Sequence, residues 1–341
     1  MAIRVLVVDD SSFMRSMIKR MIDKSPDLEV VGTAKDGAEG VAMAEELKPD
    51  VVTMDIEMPV MNGLEALEKI MTTNPRPVVM ISTLTEEGAQ ATMQALEKGA
   101  VDFIPKALQS QEKNIFQMQG VLHEKVVAAA KARVGAIKPV APAAPVHTER
   151  RAGIELVVIG SSTGGPRTLQ ALVADFPANL NVPVIIAQHM PPNFTKAMAE
   201  RMNQSTSLEV SEIKDNEMLL PGRVYVCPGG MHTRVGKTGA GLVAQVREDK
   251  GESFYKPSVD VLAQSAHDAL GQNVLAVMLT GMGDDGAKAF AALRQKGAFI
   301  IAQDEATSVV YGMPKAVATM GGADEILPIN SIAQRIKTLL S

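Results

Sequence analysis

Apolar runs alternate with amphipathic segments in two successive series along this chain, separated by a single stretch rich in alanine and proline. The first series reads IRVLVVDD, SSFMRSMIKRMIDKS, LEVVGTA, GAEGVAMAEELK, DVVTMD, GLEALEKIMTT, PVVMIST, GAQATMQALEKGA and DFIPK. Short continuous apolar runs between longer segments of helical period are what strands buried on both faces and their crossover helices require, so a doubly wound parallel sheet is expected. The helical segment NIFQMQGVLHEKVVAAAKARV then leads into GAIKPVAPAAPVHTERRAG (135–153), poor in large apolar residues and read as a semi-extended linker. Beyond it the rhythm restarts with IELVVIGSS, PVIIAQHM, FTKAMAERMNQ, SVDVLAQSAHDALG, NVLAVMLTGMGDDG, AKAFAALRQKG and AFIIAQDEA, around a hairpin-like middle, GRVYVCPGGMHTRVG with GLVAQVRED. With 341 residues the chain exceeds what one core ordinarily serves. The expected architecture is α/β throughout. A five-stranded parallel domain over 1–122 is followed by a connecting helix and linker over 123–153 and a second, mainly parallel α/β domain over 154–341.

Composition narrows the function classes. A net charge of −5 gives no basic field to draw nucleic acid or an anionic membrane, and no basic recognition helix stands in the second half. The single cysteine, Cys227, excludes an intrachain disulfide and a cysteine-rich zinc site and suits a reducing cytoplasm. No signal peptide or bilayer-length apolar run is present, so a cytoplasmic protein without membrane insertion is expected. The 21 methionines against 3% aromatics read as core filling rather than a cofactor box.

In an open α/β sheet, ligands gather beyond the carboxyl ends of the strands. In the first series those ends carry Asp9 and Asp10, Asp55, Ser82 with Thr83, and Lys106. Crowded carboxylates repel one another unless a cation neutralises them, and an all-oxygen set favours Mg²⁺. A nearby lysine suits a phosphoryl group, so attack by a carboxylate on a phosphoryl donor is the chemistry permitted. The motifs VLVVDDSSFMR, VVTMDIEMPVMNGLEAL, PVVMISTLT and GAVDFIPK resemble those of the flavodoxin-like receiver domain of response regulators. That resemblance implies that Asp55 is the phosphoacceptor and that Asp9, Asp10, Asp55 and the carbonyl of Glu57 hold Mg²⁺. It further implies that Ser82 and Lys106 bind the phosphoryl group and that Phe103 reports its presence. One departure stands in IPKAL, where proline precedes Lys106 and Ala107 follows it; receivers usually place proline after the lysine.

The second series raises a different question at GSSTGGP (160–166). Gly164 and Gly165 permit a tight turn and Pro166 suits the first turn of a helix, whose N-terminus favours negative charge. The spacing is not that of a dinucleotide fingerprint, and no lysine makes it a nucleotide phosphate loop. A serine nucleophile and an anion site remain, although G-x-S-x-G is not matched literally. A serine nucleophile needs an imidazole. His123 lies on a helix of the first series, His147 in the linker and His267 on a helix face, while His232 sits in the hairpin-like region. His189 ends the apolar run VPVIIAQ and emerges at the sheet edge that carries the serines. A third strand end, in NVLAVMLTGMGDDGA, supplies Asp284 and Asp285.

IGSSTGGP, QHMPPNFT, VYVCPGGMH, KPSVDVL, TGMGDDG and GMP together resemble the catalytic domain of bacterial chemotaxis protein-glutamate methylesterases, over nearly all of 154–340. The resemblance implies Ser162 as nucleophile, His189 as base, Asp285 as the orienting carboxylate and the N–H groups of Thr163 and Met282 as the oxyanion hole. Ser161 is then a small bystander, and Asp284 is an extra charge where relatives often carry asparagine. The implied activity is hydrolysis of γ-glutamyl methyl esters on chemoreceptors through an acyl-enzyme, with deamidation of certain glutamines at the same site. Mg²⁺ would serve the receiver and no cofactor the ester step, with a chemotaxis histidine kinase as phosphodonor. The receiver is expected to restrict the catalytic edge until Asp55 is phosphorylated, the linker permitting the change. Hydrolysis of a different ester or amide, and a non-enzymatic receptor adaptor, are the alternatives.

Overall fold

The computed structural model describes residues 2–106, 112–134, 149–248, 251 and 253–341, with side chains of the segment after 112 described from Met118 onward. The chain forms two compact units, Met1–Ala136 and Ile137–Ser341. Most of the linker stretch, together with His147 and Ala107, lies outside the described residues.

The first unit runs β1 (Ile3–Val8), α1 (Ser12–Asp23), β2 (Leu28–Ala34), α2 (Gly37–Leu47), β3 (Val51–Asp55), α3 (Gly63–Thr73), β4 (Val78–Ser82), α4 (Glu86–Glu97), β5 (Asp102–Pro105) and α5 (Glu112–Ala130). Its five strands are parallel in the order β2-β1-β3-β4-β5. Val5–Val8, Val51, Val52 and Val78–Ile81 are fully buried, as strands covered by helices on both faces must be. Each such side chain contributes roughly 1.5–3 kcal/mol by leaving water. Ser11, Asp36 and Thr85 cap α1, α2 and α4, and Asn62 with Glu65 closes a capping box on α3. α5 continues to Ala130 with Leu122, Val126 and Ala129 buried, packing on α1 and β5.

The second unit runs β6 (Leu156–Ser161), α6 (Gly165–Ala174), β7 (Val184–Gln188), α7 (Phe194–Ser205), β8 (Glu209–Glu212), β9 (Glu217–Met218), β10 (Arg223–Val226), β11 (Met231–Thr238), β12 (Gly241–Glu248), α8 (Val259–Leu270), β13 (Val274–Met278), α9 (Ala287–Gln295), β14 (Phe299–Gln303), α10 (Met313–Thr319), β15 (Glu325–Leu327) and α11 (Ile329–Leu340). Seven strands form one parallel sheet, β15-β14-β13-β6-β7-β10-β8, and β11, β12 and β9 form a small antiparallel one. The run expected to form a hairpin is therefore divided. Val224–Val226 are buried completely and join the parallel sheet between β7 and β8, and only β11 and β12 pair as a hairpin. The Tyr225 hydroxyl, at the centre of that buried strand, donates to the Met218 carbonyl and accepts from Leu220 N–H. Cys227 is buried, and burial pushes its thiol up to about 12, which makes it an inert core residue.

Strand order reverses at β6: the chain moves from it to β7 on one side and later returns to β13 on the other. The crevice beyond the carboxyl end of β6 is thus a topological switch point, and β1 holds the same position in the first sheet.

Candidate functional sites

Beyond β1, β3 and β5 of the first unit, Asp9, Asp55 and Lys106 meet. Lys106 Nζ lies 2.7 Å from Asp55 Oδ2 and 3.5 Å from Asp9 Oδ2. Asp9 and Asp55 are buried while Asp10 is exposed, and one carboxylate oxygen from each falls within 4.8 Å of the others. Asp9 Oδ2 is buried and takes no hydrogen bond. Three hard oxygen donors, one of them unsatisfied, fit Mg²⁺. Burial raises the Asp9 carboxyl above its ordinary value against the pull of Lys106. Burial also tends to lower the Lys106 ammonium, but its hydrogen bond to Asp55 and the attraction of both carboxylates hold it above the usual lysine range.

The other residues singled out in the first unit take distinct places. Ser82 Oγ donates to the Gly88 carbonyl at 3.0 Å, and the backbone N–H of Lys106 donates to the Ser82 carbonyl at 2.6 Å. Glu57 is exposed in the loop after β3. Phe103 is buried, with Lys125 Nζ 5.4 Å from its ring centroid.

Burial drives the Asp55 carboxyl up to about 6, Lys106 pulling the other way. An acid raised in this way binds its proton more tightly in the folded chain. Its contribution to stability is therefore most favourable below the unfolded value of 3.8 and falls as pH rises through about 6. A shift of that size corresponds to about 3 kcal/mol. In chelator, Asp55→Asn is expected to raise the melting midpoint of the first unit at pH 7.5 and to flatten the decline between pH 4 and roughly 6.5. Calorimetry of the full chain checks this; a midpoint that stays or falls at pH 7.5 contradicts a buried anion at Asp55.

In the second unit, the last paired residues of β6 and β7 are Ser161 and Gln188, so Ser162 and His189 leave adjacent strands side by side. Backbone N–H of His189 donates to the Ser161 carbonyl at 3.1 Å. Gly164 takes a left-handed φ of 77°, which turns the chain from strand into α6 within three residues of Ser162. The loop after β13 closes on this turn: a Cβ at Gly281 would stand 2.9 Å from Ser162 Cβ. Thr163 follows the serine in the turn, and Met282 follows Gly281 in that loop.

His189 is held by its Nε2, 2.8 Å from Asp285 Oδ2, with side-chain exposures of 8% and 3%. The N-terminus of α8 grips the same carboxylate. Val259 N–H donates to Oδ2 at 2.6 Å, and Ser258 Oγ and Asp260 N–H donate to Oδ1 at 2.9 and 3.2 Å. Burial alone would raise the Asp285 carboxyl, but the hydrogen bonds from His189, Val259 and Ser258 hold it below its ordinary value. An ionised carboxylate at Nε2 calls for the Nε2–H tautomer. Nδ1 is then the acceptor nitrogen, and it is buried without a hydrogen-bond partner. Asp284 is exposed, and its backbone carbonyl accepts from Ala287 N–H at the start of α9.

The other histidines are placed elsewhere. His123 pairs with Asp27 on the surface, His267 bonds the Gly271 carbonyl at the end of α8, and His232 is buried on β11. Ser161 is more than a small packing residue. Its hydroxyl donates to Gln188 Oε1 at 2.7 Å, and the Gln188 amide donates to the carbonyls of Ser162 at 2.9 Å and His189 at 3.3 Å. Sequence reading passed over Gln188; the available signal was an amide side chain opposite a serine at neighbouring strand ends.

A phosphoacceptor-like aspartate pocket in one α/β unit and a serine, histidine and aspartate at the switch point of another define a response regulator with a hydrolase-type output domain. The response regulator receiver domain family matches residues 5–116, and the CheB methylesterase family matches residues 157–336. The chain belongs to the CheB methylesterase family, a family of hydrolases. It is 44% identical to a protein-glutamate methylesterase/protein-glutamine glutaminase of Oleidesulfovibrio alaskensis, over 98% of each chain. A protein of the same description from Saccharophagus degradans is 43% identical over 98% of this chain and 99% of that one. The crystal structure of the Thermotoga maritima CheB methylesterase catalytic domain covers 53% of this chain and 96% of its own, at 38% identity and a TM-score of 0.52.

Proposed function

We propose that this protein is a phosphorylation-controlled protein-glutamate methylesterase acting on chemoreceptors, with deamidation of specific receptor glutamines at the same site. The observation that carries the reading is the state of His189: Nε2 is engaged by Asp285, and Nδ1 is buried and unbonded one strand from Ser162.

Ser162 Oγ attacks the ester carbonyl carbon as its proton passes to His189 Nδ1. The Thr163 and Met282 N–H groups receive the developing oxyanion. Asp285 keeps the imidazole in the Nε2–H tautomer and stabilises the imidazolium. Collapse breaks the bond to methoxide, which takes the proton from Nδ1 and leaves as methanol, with the glutamyl group esterified to Ser162. Water, deprotonated by the same nitrogen, then releases glutamate and restores the serine. With a glutamine side chain the leaving group is ammonia. His189 Nδ1 relays the proton from Ser162 to methoxide and then from water back to Ser162, and no cofactor is assigned to the scheme.

In the receiver, Asp9, Asp10, Asp55 and the Glu57 carbonyl would hold Mg²⁺, which supplies charge neutralisation for phosphoryl transfer to Asp55. Lys106 and Ser82 receive the phosphoryl oxygens. A chemotaxis histidine kinase is the phosphodonor, and Asp55 phosphorylation relieves the receiver's restraint on the esterase. Methanol release from glutamate-methylated receptor membranes, with and without a small phosphoryl donor and Mg²⁺, tests this reading. Release that rises several-fold with the donor is expected, a coupling of the usual allosteric size. No release in either condition overturns the substrate, and release indifferent to the donor overturns the switch.

A further inference from the structure

Hydrogen bonding to Asp285 fixes one point of the His189 ring and leaves its tilt about that bond undetermined. A second ring sets the tilt. Tyr255 lies flat against the imidazole, centroids 4.2 Å apart and planes within 4°. Its own position is defined from several sides. Tyr255 N–H donates to Ser253 Oγ at 3.2 Å, and Phe254 meets the ring edge-on at 5.3 Å. At its far end the hydroxyl would sit 3.0 Å from a Cβ on Gly283, next to Met282. Three residues further along the chain, Ser258 caps α8 and donates to Asp285. One short segment thus supplies both the stack on the imidazole face and a donor to its carboxylate partner.

We propose that Tyr255 is a positioning residue for the esterase reaction: its ring holds the His189 imidazole in the plane that aims Nδ1 at the Ser162 hydroxyl, and it keeps water from that face. The proposal rests on the assignment of Ser162 and His189 made above. Its physical basis is twofold. A stacked pair of flat rings resists tilting, which a single hydrogen bond does not. Misplacement of a catalytic group by about 1 Å costs on the order of a hundredfold in rate. Tyr255 makes no bond in the reaction, so its effect falls on the chemical step and on every reaction of Ser162 that needs the base.

The full-length protein and its Tyr255→Phe and Tyr255→Leu variants separate the ring from its volume. Leucine fills much of the space without a flat face, whereas phenylalanine keeps the face. The readouts are the rate of Ser162 labelling by a fluorophosphonate and the kcat and KM of methanol release. Histidine-labelled protein, with His189→Gln for assignment, adds the NMR shift of the His189 ring protons. Wild-type ring protons displaced upfield by the overlying tyrosine are expected. Tyr255→Leu is expected to slow labelling and kcat together by about 10- to 100-fold. Its KM should stay within about threefold of wild type, and Tyr255→Phe should recover most of the rate. Labelling of Tyr255→Leu at the wild-type rate overturns the proposal, as does a phenylalanine variant as slow as the leucine one. Should the leucine variant fail to fold, wild-type ring protons without the upfield displacement overturn it. A wild-type enzyme that is labelled at Ser162 yet releases no methanol refutes the methyl-ester reading alone. The role of Tyr255 is then decided by the labelling rates.

Discussion

Ser162→Ala is expected to lower methanol release from methylated receptors by about a millionfold, the scale seen when a serine triad loses its nucleophile. That factor corresponds to about 8 kcal/mol of transition-state stabilisation. The substitution removes one oxygen from a half-buried side chain, and the backbone bonds that hold the turn, Ser162 N–H to Thr280 and Gly165 N–H to Ser162, do not depend on it. An unchanged melting midpoint with activity near background is therefore the expected pair of results. A Ser162→Ala enzyme retaining a tenth or so of the activity would remove Ser162 from the role of nucleophile.

Asp285→Asn is expected to lower kcat by about ten-thousandfold, for a different reason. Four donors converge on this carboxylate: His189 Nε2–H, Ser258 Oγ, Val259 N–H and Asp260 N–H. A carboxylate accepts all of them, whereas an amide must turn its own N–H groups toward at least one donor. If the amide nitrogen faces His189, the imidazole shifts its proton to Nδ1 and can no longer take one from Ser162. The same substitution alters stability with a definite sign. The Asp285 carboxyl is depressed in the folded protein, so its contribution is fully present above the unfolded value of 3.8 and is lost as pH falls through the lower, folded one. The wild-type second unit should thus lose more stability on acidification below that value than Asp285→Asn does. Denaturant titrations at neutral and acid pH measure this, and parallel acid losses in the two proteins would mean that the carboxylate is not held as an anion.

What could be read from the sequence follows from its periodicity. β1, β3 and β4 announce themselves because both faces are largely buried, leaving a mainly apolar run with a charged or hydroxyl residue where it stops. The same logic locates Ser161, Gln188 and Met278 as strand ends at one edge. What periodicity cannot show is who sits beside whom. β10 has the look of a hairpin strand until its neighbours, β7 and β8, are known. β8 is too short and too polar, with a burial pattern of one buried residue in four, to stand out at all. Ser161, Gln188 and Tyr255 escaped for a related reason. Their significance lies in lateral contacts between strand ends and in a loop laid over a ring, and neither leaves a repeating trace along the chain.

The Gln188 amide has a consequence for anyone wishing to move this chemistry to another scaffold. Its single nitrogen reaches the carbonyls of both Ser162 and His189, while its oxygen is tethered by Ser161. Grafting a serine and a histidine onto two neighbouring parallel strands would copy the two side chains without the crossbar that fixes the spacing of the peptide planes bearing them. The transplantable unit is a four-residue clasp across two strands, Ser161 and Ser162 on one tied to Gln188 and His189 on the other.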